Sequence, residues 1–307
     1  MPAAAFPQDQ GPTAPFSAGR GRTGVEVPAG ACDCHVHLYD ARYPAAPQAR
    51  LRPPDASAAD YRRLQQRTGT ERVVFVTPST YACDNRALHD ALSAFGPAAR
   101  GVAVVDEKTV SDEALHALHA MGVRGIRLNL SLGVANDAAD LAPLARRIAP
   151  LGWHLQLLAP AALLEALAPR LETLPVPLVF DHFGRIAPSM AGRHGAHALI
   201  VRLLRAGRAW IKLSGGYIVS ERPAPHDDLA PLARSYIETA PQRVLWGSDW
   251  PHASASAGHQ PMPDDAQQMD QLARWAGSTA ALRRILVDNP AALYGFDFPP
   301  TNTRETP

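Results

Sequence analysis

Short runs of apolar residues alternate along the chain with longer stretches in which apolar residues recur every three or four positions. The runs are rich in Val, Ile, Leu and aromatic residues and lack the strict polar alternation of a half-exposed strand. Such runs are typical of parallel strands that are buried on both faces. They cover residues 31–38, 72–78, 101–105, 125–130, 153–158, 178–183, 210–214 and 243–250.

The longer stretches have the spacing of amphipathic helices. Residues 114–121 place apolar side chains three and four positions apart and precede Gly122, and residues 141–148 repeat the pattern before Gly152. A glycine directly after such a stretch commonly ends a helix. Strand and helix therefore alternate eight times, which predicts a single-domain (β/α)8 barrel of the TIM type. A dinucleotide-binding sheet is not favoured, because no Gly-x-Gly-x-x-Gly follows an early strand.

The two ends of the chain differ in composition from the segment between them. Residues 1–30 are rich in Ala, Pro and Gly and lack the continuous apolar stretch of a secretory signal, so we expect a disordered tail. Residues 299–307 are polar and contain Pro, and a shorter flexible tail is expected there. The barrel is expected to occupy residues 31–298.

Composition narrows the classes of function. The 307 residues carry a formal net charge of +1 without a basic block, which gives no electrostatic reason to expect nucleic acid or an anionic membrane as partner. No apolar run approaches the roughly 20 residues that cross a bilayer. Cys32, Cys34 and Cys83 form neither an even disulfide set nor a C-x-x-C motif, so a reducing, cytoplasmic location is expected. The sequence leaves the oligomeric state open, and a homo-oligomer is among the states it allows.

The first predicted strand ends in the motif DCHVH, which places His35 and His37 two positions apart. Because side chains alternate along a strand, both histidines are expected inside the barrel, with Cys32 and Cys34 outside it against the helices. The last predicted strand ends in RVLWGSDWP, where the buried acid Asp249 needs a partner or a metal. A barrel that closes first strand on last brings these groups together, and the alternative for the acid is to cap the following turn.

Chemistry in (β/α)8 barrels sits at the C-terminal ends of the strands. Arg127 on the fourth predicted strand and His182 at the end of the sixth occupy such positions. Further polar residues at strand ends or in the loops after them are candidates for substrate binding: Arg124, Tyr43, Ser79, Asn85, Tyr217 and His252. For Arg124, a salt bridge on the outside of the barrel is equally compatible.

Several longer motifs occur in order along the chain: DCHVHLYD, VFVTPS, GVRGIRLN, LVFDHFGR, KLSG, VLWGSDWPH and DNPAALYGF. Together they resemble the amidohydrolase superfamily (amidohydrolase-related family 2). Within it they are most similar to the branch that holds 2-pyrone-4,6-dicarboxylate lactonase and the sugar-acid lactonases. The resemblance covers residues 31 to about 296 and implies a carboxylic ester hydrolase that opens a small lactone carrying a carboxylate.

The resemblance also bears on metal content. Metal-dependent members of the superfamily use the strand-one histidines, a strand-four lysine or glutamate, histidines of strands five and six, and the strand-eight aspartate. Arg127 and Asn129 stand on strand four here and Gln156 on strand five, so a carboxylated-lysine binuclear centre is not expected. The resemblance implies catalysis without a cofactor, with a single Zn²⁺ or other divalent metal as the alternative. The ligands of such an ion would be His35, His37, His182 and Asp249.

The residues and the resemblance together predict hydrolysis of a lactone. Asp249 is expected to act as general base on water. His35, His37 and His182 are expected to donate to the lactone carbonyl and stabilise the oxyanion. Arg127 is expected to hold a substrate carboxylate in a bidentate fork.

The substrate is predicted from a count of charges. With Arg127 as the one arginine expected inside the barrel, a second substrate carboxylate would be poorly paired, so a sugar-acid lactone is expected to be preferred to 2-pyrone-4,6-dicarboxylate. Hydroxyl groups would pair with Tyr43, Ser79, Asn85 and Tyr217. Three alternatives stay open: a sugar-diacid lactone isomerase, a zinc-dependent decarboxylase of the aminocarboxymuconate type, and a barrel that binds without catalysis.

Overall fold

The computed structural model describes residues 12–131 and 137–297 of the chain. Within these residues, eight parallel strands form one sheet in chain order. The strands are β1 Cys32–Val36, β2 Arg72–Val76, β3 Ala99–Ala103, β4 Val123–Asn129, β5 His154–Leu158, β6 Leu178–Phe180, β7 Ala209–Leu213 and β8 Val244–Trp246. All of them fall within or beside the predicted apolar runs. The predicted C-terminal tail at residues 299–307 lies outside the described residues.

Helices follow or separate the strands around the outside of the sheet. They are α1 Ala58–Thr68, α2 Arg86–Phe95, α3 Asp112–Ala120, α4 Leu141–Ile148, α5 Ala161–Ala166, α6 Ala168–Leu171, α7 Gly195–Arg205, α8 Gly216–Val219, α9 Ala230–Thr239, α10 Ala253–Ser256, α11 Asp265–Ala276, α12 Thr279–Arg283 and α13 Asn289–Tyr294. None of the helices in the described part of the chain is long and apolar enough to span a membrane.

The sheet closes because the chain after β8 returns to β1. Val36 pairs with Trp250 in parallel register, and the Asp249 amide donates to the His35 carbonyl at 3.0 Å. Gly247 allows this close approach, since a Cβ atom there would lie 2.5 Å from the Cβ of His35. The predicted (β/α)8 barrel is confirmed.

In β1, the side chains do not alternate strictly between the inside and the outside of the barrel. Its pairing with β2 shifts register between Asp33 and Val36, which is a β-bulge. Buried apolar residues of the barrel interior form a cluster: Cys32, Cys34, Val74, Val76, Val102, Val179, Trp210, Leu245 and Tyr294. Because of the bulge, Cys34 and the following His35 both face inward, so the prediction that the cysteines pack outward against the helices is wrong.

The segment before β1 packs onto the barrel. The buried guanidinium of Arg67 donates to Ser17 Oγ at 2.8 Å and pairs with Asp264 at 2.6 Å. The indole of Trp250 donates to the Pro15 carbonyl at 2.8 Å. The prediction of a disordered tail is therefore wrong for residues 12–30.

Candidate active site

Three histidines surround one carboxylate at the C-terminal end of the barrel. The Nε2 atoms of His35, His37 and His182 lie 3.5, 3.9 and 3.8 Å from Asp249 Oδ1. Asp249 adopts a left-handed backbone conformation with φ of 68°, which disfavours a non-glycine residue by roughly 1–2 kcal/mol. Its backbone carbonyl accepts from the His252 amide at 2.7 Å and so closes the following turn, as the alternative expected, while its carboxylate faces the histidines.

A cavity of about 440 Å³ opens above this cluster. His37, His182 and Asp249 line it, together with Arg127 from β4. His35 is fully buried and lies beneath these residues rather than in the cavity wall. The cavity is within the size range of small-molecule sites.

The two carboxylate oxygens of Asp249 have different partners. Tyr217 donates its phenolic hydrogen to Oδ2 at 2.6 Å, while Oδ1 faces the histidines. Burial alone would raise the pKa of this carboxyl, but the neighbouring histidines and the hydrogen bond from Tyr217 together hold the pKa below its usual value. The site therefore presents an ionised carboxylate.

His37 has a defined proton position. Its Nδ1 lies 2.7 Å from the Val76 carbonyl oxygen, which only accepts, so we assign the proton to Nδ1. Burial lowers the pKa of His37 to about 4, so the ring is neutral near pH 7. Nε2 of His37 then carries a lone pair, which contradicts its expected role as a donor to the substrate.

A second polar layer lies beneath the cavity floor. Asp181 Oδ2 accepts from Arg127 Nε at 3.2 Å and from Gln156 Nε2 at 3.1 Å. Lys212 Nζ donates to Gln156 Oε1 at 2.7 Å and lies 3.2 Å from His35 Nδ1. Each side chain here is almost fully buried, and the carboxylate of Asp181 partly balances the two cations.

The turn after β6 carries two residues of the cavity wall. His182 and Arg185 both have positive φ, 50° and 56°, and this turn directs them to the same cavity. His182 Nδ1 lies 2.9 Å from Ser214 Oγ at the end of β7. Burial lowers the pKa of His182 and of Arg185.

The structure places some of the predicted substrate-binding residues in the cavity wall. Ser79, Arg127 and Tyr217 line it, and Ser79 Oγ accepts from Asn129 Nδ2 at 2.7 Å. The other four lie elsewhere: Arg124, Tyr43, Asn85 and His252 are absent from this wall within the described residues.

Each of these four side chains has a structural partner instead. Arg124 donates to backbone carbonyls, including that of His119 at 3.0 Å, and Tyr43 donates to Asp90 at 2.6 Å. Asn85 bonds the Thr77 hydroxyl and the Val104 backbone, and His252 Nε2 lies 3.1 Å from Asp265 Oδ2. The structure therefore does not bring these four residues to the cavity wall.

Sequence reasoning missed two arginines of the wall, Arg50 and Arg185. Arg50 belongs to the long loop after β1, and nothing in the strand pattern shows where that loop folds. Arg185 stands three positions after His182 in DHFGR, and that proximity is a signal that could have found it. The fold and the site together define a (β/α)8 barrel whose cavity, within the described residues, is lined by one carboxylate and three arginines.

A single divalent metal ion requires several donor atoms that converge on one point. Two groups of side chains bring potential donor atoms within 4.8 Å of one another: His35, His37 and Asp249, and His35, Asp181 and His182. A ligating imidazole nitrogen must present a lone pair. Nε2 of His35 and Nε2 of His37 lie 3.3 Å apart, and either nitrogen can present a lone pair depending on the tautomer. The residue types and the spacing of the donor atoms fit a single Zn²⁺, which His35, His37 and Asp249 would hold.

Comparison with known proteins gives the family. Residues 32–296 match the Amidohydrolase family. The chain is 35% identical to a 2-pyrone-4,6-dicarboxylate hydrolase of Comamonas testosteroni, over 88% of this chain and 91% of that protein. It is 33% identical to a 4-sulfomuconolactone hydrolase of Rhizobium radiobacter, over 94% and 99%. It is 31% identical to a D-galactarolactone isomerase of Agrobacterium fabrum, over 87% and 91%. The chain therefore belongs to the amidohydrolase family.

Proposed function

We propose that the protein hydrolyses a lactone that carries acidic groups, with Asp249 as the general base that activates water. The observation that carries the proposal is the carboxylate of Asp249 at the floor of the cavity, with His182 Nε2 at 3.8 Å and His37 Nε2 at 3.9 Å. A general base must be deprotonated and accessible to the water it activates. The relatives, two lactone hydrolases and one lactone isomerase, support lactone chemistry.

In the proposed reaction, Asp249 takes a proton from water while the water oxygen attacks the lactone carbonyl carbon. The carbonyl oxygen becomes negatively charged, and His182 and Arg127 are the donors in the wall that stabilise it. For His182 to donate from Nε2, the Ser214 hydroxyl donates to its Nδ1. The ring C–O bond then breaks, and Asp249 returns its proton to the leaving oxygen. The product is an open chain with a new carboxylate and a new hydroxyl group.

His35 acts differently from the expectation. Since its ring is fully buried beneath the cavity, it has no direct access to the lactone carbonyl. Its Nε2 lies 3.5 Å from Asp249 Oδ1 and 3.3 Å from His37 Nε2. We therefore propose that His35 positions Asp249 and His37.

The charges of the cavity wall set the substrate class. Among the described residues, Arg50, Arg127 and Arg185 are the arginines of the wall and Asp249 is its carboxylate. The prediction of a single arginine in the cavity, on which the preference for a sugar-acid lactone was based, is therefore wrong. We propose instead a lactone with two acidic groups, since each buried anion needs a cation. Two of the relatives are named for a dicarboxylate and for a sulfonated lactone, which agrees with this.

Lactone isomerisation is the second candidate, because the third relative is a lactone isomerase. In that reaction a hydroxyl group of the substrate replaces water as the attacking group, and no net hydrolysis occurs. The same base and the same cavity could serve either reaction. Only the identity of the product therefore distinguishes hydrolysis from isomerisation. The zinc-dependent decarboxylase alternative has less support, since the three relatives are named for lactone chemistry.

A panel of lactones tests the proposal. Purified protein is incubated with 2-pyrone-4,6-dicarboxylate, 4-sulfomuconolactone, aldaric and aldonic lactones, and a neutral lactone of similar size. We expect proton release and ring opening with the first two, less with the sugar-acid lactones and least with the neutral one. Asp249→Asn is the matched control for contaminating esterase activity. A rearranged lactone without proton release would assign isomerisation, and no turnover of any acidic lactone would refute the proposal.

A further inference from the structure

The turn after β8 that carries Asp249 has an unusual backbone. Asp249 and His252, at its two ends, both have positive φ, 68° and 59°. The Asp249 amide donates to the His35 carbonyl at 3.0 Å, and the His252 amide donates to the Asp249 carbonyl at 2.7 Å. Residues other than glycine stay in such conformations only where their surroundings hold them there. The position of the Asp249 carboxylate therefore depends on what packs behind the turn.

Trp250, the residue after Asp249, points away from the cavity. It is fully buried and, within the described residues, is not part of the cavity wall. Its indole N–H donates to the Pro15 carbonyl at 2.8 Å, and the ring of Phe16 meets it edge-on with 5.8 Å between ring centroids. An indole has a single donor and no acceptor, so the Pro15 carbonyl satisfies its hydrogen-bonding capacity. The segment before β1 thus covers the back of the turn.

His252, at the other end of the turn, is held from behind by the same segment. Its Nε2 lies 3.1 Å from Oδ2 of Asp265, the first residue of α11, and both side chains are fully buried. The backbone amide of Asp265 in turn donates to Ser17 Oγ at 3.2 Å. The ring of His252 also packs edge-on against Tyr217 with 5.5 Å between ring centroids. Both ends of the turn are therefore connected to residues 15–17.

The segment behind the turn is itself fixed to the barrel. The buried guanidinium of Arg67 on α1 donates to Ser17 Oγ at 2.8 Å and to the Ala18 carbonyl at 2.7 Å. The Ala18 amide donates to the Pro263 carbonyl at 2.7 Å. Phe16 has a φ of 55°, a left-handed conformation that these contacts on either side must maintain. The contacts with Trp250 and Asp265 therefore come from an anchored segment.

We propose that residues 14–18 form a strap that positions Asp249. The strap fixes the indole of Trp250 directly and the ring of His252 through Asp265, and the turn between these two residues carries the carboxylate that faces the cavity. Among the described residues, those of the strap do not line the cavity, so they act through the turn. A misplacement of a reacting group by about 1 Å can cost roughly a hundredfold in rate.

Hydrogen exchange measured by mass spectrometry on the full-length protein tests the strap directly. Each backbone amide of residues 247–252 donates a hydrogen bond, Pro251 having none to donate. Phe16→Ala removes an aromatic contact with Trp250, and we expect exchange in 247–252 to become roughly tenfold faster. Ser17→Ala, which removes an acceptor at the surface of the barrel, should give a smaller increase. Peptides of β5 serve as the internal reference and should be unchanged.

Asp270→Ala is the matched control. Asp270 lies on α11 like Asp265, and its carboxylate accepts from the amides of Gly24 and Val25 at 2.8 and 3.2 Å. The variant loosens the same segment beyond the strap and should leave exchange in residues 247–252 unchanged. Unchanged exchange in both strap variants would overturn the proposal. An equal increase in β5, or the same increase in Asp270→Ala, would also overturn it, because the strap would then contribute only general stability.

The kinetic consequence rests on the proposed hydrolysis. Phe16→Ala should lower kcat roughly tenfold while KM for the lactone changes little, since the strap acts on the base and not on the substrate. Ser17→Thr keeps the hydroxyl group and should retain more of the wild-type kcat than Ser17→Ala. A change confined to KM would contradict a positioning role. If the protein hydrolyses no lactone, the proposed function fails, whereas the exchange of residues 247–252 still decides whether the strap holds the turn.

Discussion

The phenol of Tyr217 donates to Asp249 Oδ2 at 2.6 Å and thereby leaves Oδ1 as the oxygen that faces the histidines. Tyr217 is one of the predicted substrate-binding residues, and it does line the cavity. Its hydroxyl hydrogen, however, is already given to the carboxylate. Tyr217 therefore sets both the orientation and the ionisation of the proposed base.

Tyr217→Phe should weaken the base. Without the hydrogen bond the pKa of Asp249 rises, so the acidic limb of the kcat/KM profile should move to higher pH, because activity is lost as Asp249 takes up a proton. Loss of a hydrogen bond to a charged group should also reduce kcat roughly tenfold near neutral pH. Tyr39→Phe removes another phenol of the cavity wall and should leave the acidic limb in place. An unshifted limb in Tyr217→Phe would show that the bond does not tune Asp249.

Arg185→Met should raise KM selectively for substrates with two acidic groups. Arg185 lines the cavity, and loss of a charge-assisted pair with a substrate anion should weaken binding roughly ten- to a hundredfold. The neutral lactone should show much less change in KM. Arg86→Met is the control, since Arg86 is exposed and pairs with Asp84 at 2.6 Å. Equal effects of the two variants on the same lactone would refute the assigned contact.

Removal of metal ions should leave most of the activity intact. Arg127 and Gln156 occupy the strand-four and strand-five positions at which, as the resemblance implies, metal-dependent members of the superfamily carry ligands. Exhaustive dialysis against a chelator, with kcat measured before and after, tests this together with the metal content of the protein. Activity that is lost and returns only with Zn²⁺ would place His35, His37 and Asp249 around an ion.

Periodicity predicts most of the barrel and the centre of the site. Alternation within a strand and strand order in a barrel are sufficient to bring His35, His37 and Asp249 together. The same rule fails at Cys34, because the bulge in β1 turns two consecutive side chains inward. No propensity in DCHVH indicates that bulge.

The cavity wall is less predictable because much of it comes from loops and irregular turns. Arg185 reaches the cavity through a left-handed turn with φ of 56°, and His252, with φ of 59°, is turned towards Asp265 instead. Arg50 belongs to a loop whose path depends on tertiary contacts. Loops and left-handed residues follow no period, so their side chains cannot be placed from the sequence alone.

Asp33 should make stability depend on pH. Burial raises the pKa of Asp33 to about 7, although Ser248 donates to it from both backbone and hydroxyl. The folded protein therefore keeps a proton that the unfolded chain releases, and this contribution to the free energy of unfolding falls as pH rises from about 4 to about 7. Asp33→Asn should flatten that dependence in urea unfolding curves recorded at about pH 5 and about pH 8. Parallel pH dependences of variant and wild type would contradict the raised pKa.

The central claim is that water, activated by Asp249, opens a lactone, and the fate of the water oxygen tests it most directly. The reaction is run in H₂¹⁸O with the best lactone of the panel, and the product is analysed by mass spectrometry with fragmentation. We expect one ¹⁸O atom per turnover, located in the newly formed carboxylate. In folded Asp249→Asn, the rate of labelling should be roughly a hundredfold or more lower. A product without ¹⁸O, or one labelled at the new hydroxyl group, would contradict attack of water on the carbonyl carbon.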